Sequence, residues 1–350
     1  MNTTTAQSPI DHAAPVPRRH ALRAIAVVLG GGITGTAHAA PPADASTEPG
    51  ECVAPSKPGG GFGLTCGLAA DALQAVRSGR TPLPTRFLPG GIGAVAFDQV
   101  ATGRLGGPGT LVAFSSGSLL NIAQGRFGPH PVGTVRFIAT LGTDYGVIAV
   151  HRDARWQNLA QVMAALQRDS ARVVFGAGGT IGSQDWIKAA QLVRAAGQDH
   201  KKMRFVAFEG GGEALKALKG GHLDIFTGDA AEAMQAAAQG LPLRFLAVLA
   251  PERLQGTLAG LPTAREQGVD LVWPTVRGLY MAATAPEVAV RAWTSAFETA
   301  MAAPGYAALC SRFGLYPFSL TGAALDSFVQ RSLQDYRRMA QDLGLRTWPR

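Results

Sequence analysis

The sequence predicts an α/β protein built from two doubly wound domains, and three observations lead to that prediction. The chain has 350 residues, of which 47% are hydrophobic and 16% charged, enough for two domains with buried cores. Short apolar segments alternate with amphipathic ones, which indicates buried strands alternating with helices and largely parallel sheets. A glycine- or serine-rich loop recurs between a strand and the helix after it, where open α/β sheets bind their ligands.

The predicted elements follow one another from residue 51 onward. A short strand precedes the glycines at 59–61, and a helix follows them with Leu64, Leu68 and Leu73 on one face. Later strands are predicted at 110–114, 135–142, 145–150, 171–177, 203–208, 223–228 and 243–250. Later helices are predicted at 119–124, 159–169, 184–197, 213–221, 229–240, 287–302 and 323–343.

The first 39 residues have the pattern of a signal peptide. Arg18, Arg19 and Arg23 precede a short apolar run that ends in the small residues "AHAA". We place cleavage after Ala39, followed by a Pro/Ala/Ser tether over 40–50. The arginine pair partly resembles a twin-arginine signal, but Ala21 stands where that signal has a large apolar residue, so both export routes stay open. The sequence therefore predicts an exported, periplasmic protein.

The formal net charge of +8 is spread along the chain. Lys and Arg form no run longer than two, and no basic helix is interleaved with aromatic residues. This pattern favours a soluble basic protein over one that binds nucleic acid. A weak positive field also suits a small anionic ligand.

Cysteine usage fits an oxidising compartment. Cys52 and Cys66 flank the first glycine loop, and we expect them to form a disulfide, with Cys310 left over and buried. No His or further Cys lies beside them at the spacing of metal ligands, so no metal is expected.

Four loops share the strand–loop–helix pattern, at 59–61, 115–118, 178–183 and 210–212. Glycines there could simply permit turns with positive φ. Alternatively, bare backbone amides at helix N-termini could bind an anion. Turns alone do not require Gly-Gly-Gly twice, so the set as a whole favours anion binding.

These loops also carry a resemblance that runs from about residue 51 to 345. The segments "ECVAPSKPGGGFGLTC", "VAFSSGSLLNIAQGRFG", "VVFGAGGTIGSQDW", "RFVAFEGGGEALKALKGGHLDIFTGD" and "WPTVRGLYM" resemble the TctC/Bug family of extracytoplasmic receptors for tripartite tricarboxylate transporters. The resemblance implies a two-domain "Venus flytrap", with domain 1 at 51–149 plus 274–350 and domain 2 at 150–273. We expect hinges near 147–150 and 274–278.

The resemblance also implies which residues hold a ligand carboxylate. They are Gly60, Gly61, Phe62 and Thr65 from the first loop, Ser115, Ser116 and Ser118 from the second, Gly178, Thr180, Gly182 and Ser183 from the third, and Glu209, Gly210, Gly211 and Asp229 from the other strand ends. One position departs from the family. Gly63 stands where the family has Asp at the start of the helix, which leaves that N-terminus more electropositive and puts citrate itself in doubt.

Four charged side chains have competing interpretations. Lys57 could meet a second carboxylate or be solvated. Arg277 lies in an apolar segment, where its guanidinium must be paired, by a ligand carboxylate or by a structural salt bridge. Glu209 and Asp229 could orient waters, accept a hydrogen bond from a ligand hydroxyl, or pair with Lys or Arg.

The function predicted from these observations is capture of a small, citrate-like di- or tricarboxylate for a membrane permease by a monomeric receptor. An alternative is a sensory receptor that presents its ligand to a membrane kinase. A distant alternative is an exported NAD(P)-dependent oxidoreductase, because "VVFGAGGTIG" loosely follows the dinucleotide fingerprint and Glu209 ends the next strand. The chain has no G-x-S-x-G or H-E-x-x-H motif and no other catalytic constellation. We therefore expect neither an enzyme nor a cofactor.

Overall fold

The computed structural model describes residues 50–77 and 81–347, so the predicted signal peptide and tether residues 40–49 lie outside the described part. The strands are β1 Glu51–Ala54, β2 Thr85–Phe87, β3 Thr110–Ser115, β4 Val135–Tyr145, β5 Val147–His151, β6 Val174–Gly178, β7 Arg204–Phe208, β8 Ile225–Phe226, β9 Leu243–Val248, β10 Pro274–Ala282 and β11 Tyr316–Leu320. The helices are α1 Gly61–Val76, α2 Ala94–Ala101, α3 Ser116–Ala123, α4 Leu159–Asp169, α5 Gln184–Ala195, α6 Gly211–Lys219, α7 Ala230–Ala238, α8 Glu287–Ala302, α9 Tyr306–Arg312 and α10 Gly322–Asp342.

The strands form two sheets within the described residues. The first has the order β11-β4-β10-β3-β1-β2, and the second has the order β7-β6-β8-β5-β9. Helices cover both faces of each sheet. In the first sheet α1 and α8 pack on one face and α2, α3 and α10 on the other; in the second, α4 and α5 pack opposite α6 and α7. The fold is thus α/β with two doubly wound layers.

The sheets are mixed, and less parallel than the alternation of elements suggests. β1 pairs in parallel with β2 and β3, and β6 pairs in parallel with β7 and β8. The strands that receive the chain from the other sheet run in the opposite direction: β10 is antiparallel to β3 and β4, and β5 is antiparallel to β8 and β9. A strand that arrives directly from the other sheet has no crossover helix to set it parallel.

The chain passes between the sheets at Gly146 and again along residues 249–273. Gly146 separates β4 from β5, and a Cβ there would lie 2.7 Å from Lys188 Cδ and 2.8 Å from Leu249 Cδ1. The expected hinge at 147–150 is instead part of β5, which pairs within the second sheet. The crossing therefore lies one residue before β5, ahead of the domain boundary predicted at 149/150.

Local sequence explains most of the elements. β3 is a continuous buried run, as expected for a central strand, whereas the three residues of the edge strand β2 are exposed. α10 buries Leu325, Val329 and Leu333, which recur every four residues.

Cys52 on β1 and Cys66 on α1 form a disulfide with a Cα–Cα distance of 5.6 Å, and Cys310 is a buried free thiol. Within 50–77 and 81–347, no helix is both long and apolar enough to cross a membrane.

Candidate functional site

A cleft lies where the glycine and serine loops of both sheets meet. Its cavity measures about 50 Å³, room for a few water molecules. The lining residues are Ser56, Gly60, Gly61, Phe62, Ile92, Ser115, Gly117, Asn121, Gly178, Ser183, Gln184, Asp185, Gly210, Gly211, Asp229, Glu232 and Arg277. Each of the four loops that the sequence singles out contributes to this lining.

The first loop presents the N-terminus of α1 to the cleft. Gly60 is the N-cap, no side chain caps this end, and its first turn contains no acidic residue, because the position after Phe62 is Gly63. The Gly61 amide donates a hydrogen bond of 3.1 Å to Oε2 of Glu232. The carboxyl group of Glu232, on the distant helix α7, therefore contacts the N-terminus of α1, which has no acidic residue of its own.

The second loop is held by a capping box at the N-terminus of α3. The Ser115 side chain accepts from the backbone of Ser118, and the Ser118 hydroxyl accepts from the Ser115 amide at 3.1 Å. Ser116 Oγ accepts from the Val276 amide at 2.9 Å, which ties α3 to β10. Only Ser115 of the three predicted serines lines the cleft.

The third loop is held by side chains of the helix that it precedes. Ser183 Oγ caps α5 by accepting from the Trp186 amide at 3.3 Å, and the Gly178 amide donates to Asp185 Oδ2 at 2.9 Å. The predicted ligand residues Thr180 and Gly182 lie outside the cleft lining. Thr180 contacts Arg126, and the Gly182 carbonyl accepts from Gln124 Nε2 at 2.8 Å.

The fourth loop leads into α6 and lines the cleft with Gly210 and Gly211. Glu209 lies beside them but outside the lining, and its buried Oε2 has no hydrogen-bond partner in the described part of the chain. Lys57, from the first loop, is half exposed and pairs with Glu213 of α6 at 2.6 Å. Lys57 therefore joins the first and fourth loops and does not line the cleft.

Six ionisable side chains form a buried cluster under the loops: five are ion-paired, and the sixth, Glu232, accepts from the backbone amides of Gly61 and Asp229. Arg277 Nη2 lies 2.8 Å from Asp229 Oδ2 and 3.2 Å from Asp144 Oδ2. Lys188 Nζ lies 2.8 Å from both Asp185 Oδ1 and Asp229 Oδ1. Asp229 thus accepts from both cations, and Thr275 Oγ1 adds a third donor at 3.0 Å. Burial of these charges is tolerated because each has an opposite charge within hydrogen-bond distance.

The pairing holds the central charges in their ionised forms. Burial alone would raise the pKa of Asp229, but Lys188 and Arg277 outweigh burial, so the pKa is lowered. For the cations Lys188 and Arg277, burial alone would lower the pKa, because it disfavours their charged form. Asp185 and Asp229 instead hold the pKa of Lys188 above its usual value, and Asp229 and Asp144 do the same for the pKa of Arg277.

The remaining carboxyls have raised pKa values, chiefly because they are buried. Burial and then the charge of Asp229 raise the pKa of Asp144 to about 7. Burial raises the pKa of Asp185 to about 6. Burial, followed by the charges of Asp229 and Asp185, raises the pKa of Glu232 to about 8. Glu232 is therefore the carboxyl of the cluster that retains its proton to the highest pH.

The structure brings together about half of the predicted residues and adds others. Of the predicted set, Gly60, Gly61, Phe62, Ser115, Gly178, Ser183, Gly210, Gly211, Asp229 and Arg277 line the cleft, and Lys57, Thr65, Ser116, Ser118, Thr180, Gly182 and Glu209 do not. Thr65 is fully buried, and its hydroxyl donates to the Gly61 carbonyl. The cluster residues Asp144, Asp185, Lys188 and Glu232 were missed. Only Glu232 carried a usable signal, because it follows Asp229 by three residues, the spacing of a capping box.

Similarity to known proteins identifies the family. The model of the family described as "Tripartite tricarboxylate transporter family receptor" (TctC) matches residues 89–345. The chain belongs to this family.

A curated relative of this TctC-family protein is the "UPF0065 protein in gbd 5'region" of Cupriavidus necator. It is 22% identical over 216 residues, which cover 61% of this chain and 64% of the relative. The match thus spans somewhat less than two thirds of that relative's length.

Two solved structures share the fold of this TctC-family protein. The periplasmic binding protein BugD is 16% identical with a TM-score of 0.75, and the match covers 85% of this chain and 98% of BugD. MatC from Rhodopseudomonas palustris, solved with bound malate, is 20% identical with a TM-score of 0.69, and the match covers 83% of this chain and 97% of MatC. These likenesses show the periplasmic-binding-protein fold.

Nothing in the described ranges suggests a metal centre in this TctC-family protein. No group of three or more His, Cys, Asp or Glu side chains within 50–77 and 81–347 is arranged to hold a metal ion. Asp144, Asp185 and Asp229 are instead paired with Lys188 and Arg277.

Proposed function

We propose that this protein is a periplasmic receptor that captures a small di- or tricarboxylate and delivers it to the permease of a tripartite tricarboxylate transporter. The observation that carries the proposal is the convergence of four glycine or serine loops, two from each sheet, on one cleft that Arg277 lines. Family membership and the malate bound to MatC support the same ligand class.

The chemistry of the lining suits a carboxylate. The N-termini of α1, α3 and α6 open onto the cleft, and backbone amides at helix N-termini favour anions. Arg277 Nε is buried and has no hydrogen-bond partner among the described residues, so one donor of its guanidinium stays available. A charge-assisted bond from that donor would add affinity and orientation.

A binding screen tests the ligand class. The mature protein is titrated with malate, citrate, adipate and NAD by calorimetry, with thermal shift as a second readout. We expect at least one of the acids to bind and NAD not to bind. Stabilisation by NAD alone would contradict the proposal and favour the dinucleotide alternative.

Two glycine variants test the location. Gly60 has a φ of −113°, and a Cβ there would lie 3.6 Å from Glu232 Oε2, so Gly60→Ala adds a methyl group to the cleft without backbone strain. For Gly60→Ala we expect at least a tenfold loss of affinity for the acid that binds. The unfolding free energy of the ligand-free protein should stay the same. Gly133→Ala is the matched control, because a Cβ at Gly133 would meet nothing within 4 Å and Gly133 lies outside the cleft. Equal affinity of both variants would place the site elsewhere.

A further inference from the structure

We propose that the Glu232 carboxyl stands in the place of a ligand carboxylate, so that capture of an acid takes up a proton onto Glu232. This inference rests on the proposed function and specifies how the cleft accommodates its ligand. It makes Glu232 the residue that sets the pH range over which the receptor is loaded.

The position of Glu232 is the first observation. Its Oε2 accepts from the Gly61 amide at 3.1 Å and its Oε1 from the Asp229 amide at 3.3 Å. A Cβ on Gly211 would lie 2.1 Å from Oε1, so the carboxyl packs directly against the fourth loop as well. Glu232 therefore fills the gap between the first and fourth loops, where a ligand carboxylate would meet the N-terminus of α1.

The charged groups around Glu232 come from several elements of both sheets, while the glycines of α1 and α6 that pack against it carry no charge. Asp229 precedes α7, Asp185 lies on α5, Asp144 on β4 and Arg277 on β10; Lys188 of α5 completes the cluster. Four carboxyls thus share two cations. With every carboxyl ionised the cluster would carry a net charge of −2, and an acidic ligand would add to it.

The second observation is the unpartnered donor. Arg277 lines the cleft and is 3% exposed, and its buried Nε has no hydrogen-bond partner in the described part of the chain. A buried donor of this kind is costly until an acceptor arrives. A ligand carboxylate would therefore satisfy the free donor of Arg277, but it would bind well only if the negative charge of Glu232 were removed.

Protonation of Glu232 meets the second need. A neutral carboxyl removes the like-charge repulsion, and its O–H can donate to a ligand carboxylate in place of repelling it. The proton comes from solvent. Because the nearby anion favours the protonated form, binding raises the pKa of Glu232 further.

The direction of the pH dependence follows. The pKa of Glu232 before binding is about 8. Below that pH the carboxyl already carries its proton, so affinity changes little. Above it each bound acid must bring a proton with it, and affinity falls by up to about tenfold per pH unit.

Calorimetry with malate, citrate and adipate, each titrated alone between pH 6 and 9.5, tests this proposal. Buffers with different ionisation enthalpies report the protons taken up. We expect close to one proton per acid at pH 9 and few at pH 6. Glu232→Gln keeps the capping box and removes the charge, so it should bind more tightly than the wild type at pH 9 and take up no proton there.

Asp144→Asn is the matched variant. Asp144 belongs to the same cluster and also has a raised pKa, but it does not line the cleft, so it should retain the pH dependence. Proton uptake that disappears with Asp144→Asn and persists in Glu232→Gln would overturn the proposal, as would a pH-independent affinity in the wild type. Failure of all three acids to bind either wild type or Glu232→Gln at any pH would instead overturn the proposed function itself.

Discussion

Arg277 and Asp229 form a buried ion pair of 2.8 Å that joins β10 of the first sheet to the N-terminus of α7, which follows the second sheet's β8. The guanidinium also lies directly against the first glycine loop. A Cβ on Gly61 would be 2.1 Å from Arg277 Nη1, so only glycine leaves room for it. The Arg277–Asp229 pair thus links the first sheet to the second, and Arg277 also packs against the loop that precedes α1.

Removing Arg277 should destabilise the protein strongly. Arg277→Met keeps the approximate volume but leaves Asp144 and Asp229 without one of their cations, and breaking a buried pair in this way costs about 3–5 kcal/mol. Urea unfolding followed by circular dichroism measures the loss. Arg253→Ala is the control, since its pair with Glu266 is nearly half exposed, solvent screens it, and its loss should be much smaller. If both variants lost the same unfolding free energy, the buried cluster would contribute no more to stability than an exposed ion pair.

The stability of the ligand-free protein should fall as pH rises through neutrality. Glu232, Asp144 and Asp185 have raised pKa values, so between their unfolded and folded pKa values the native state holds protons that the unfolded chain has released. Each group then lowers the unfolding free energy by up to about 1.4 kcal/mol per pH unit. For Glu232 this window runs from 4.5 to about 8.

The variant Glu232→Gln isolates this contribution. Urea unfolding at intervals between pH 5 and 8 should show a shallower decline than in the wild type. Glu213→Gln serves as the control, because the pKa of Glu213 is lowered by Lys57 and its titration falls below this window. A wild-type stability that rises from pH 5 to 8 would contradict the raised pKa values.

Most of the fold could be predicted because apolar runs and helical periodicity are local signals. The predictions failed to find β2, β10, β11, α2 and α9. β10 has the sequence "PTVRGLYMA". Its proline and arginine are unusual in a buried central strand, so the sequence pattern does not predict one there. Arg277 is compatible with that strand only because Asp144 and Asp229 neutralise it, and such pairing is a property of the tertiary structure.

The site could be predicted only in part, for a related reason. Loops that follow parallel strands of one sheet lie at the same edge, so the meeting of the first loop with the second, and of the third with the fourth, follows from the element order. The meeting of the two pairs depends on how the sheets face each other. Asp144, Asp185, Lys188 and Glu232 come from β4, α5 and α7, and none of them belongs to a glycine loop. Their charges are meaningful only once they are close together and buried.

The three cysteines should differ in accessibility to thiol reagents. Cys52 and Cys66 form the disulfide between β1 and α1, and Cys310 is fully buried. Protein from the periplasm, denatured without reductant, should be alkylated at one position, Cys310; after reduction it should be alkylated at three. Peptide mapping identifies the sites. Replacing both paired cysteines by serine should lower the unfolding free energy by about 3 kcal/mol, given their sequence separation of 14. Labelling of all three thiols without reduction would contradict the pairing.

The two walls of the cleft contact each other directly. Gln124, after α3, donates to the Gly182 carbonyl at 2.8 Å, and Arg126 contacts Thr180 and Ile181. Because the cavity holds only a few water molecules, a dicarboxylate would enter from a more open arrangement and these contacts would re-form around it. The crossings at Gly146 and along residues 249–273 are the segments that would absorb the rotation.

Weakening the contact across the cleft should therefore weaken binding without changing the site. Gln124→Met removes the bond to Gly182, and one such hydrogen bond contributes about 1 kcal/mol, so we expect about fivefold lower affinity for the acid that binds. Gln198→Met is the matched control, because Gln198, in the turn after α5, donates from Nε2 to the Gln167 carbonyl of α4 at 2.9 Å, and both residues belong to the second sheet's side of the cleft. Small-angle scattering should show a smaller radius of gyration at saturating acid in the wild type. An unchanged radius, or equal affinity for both glutamine variants, would mean that the cleft binds without closing.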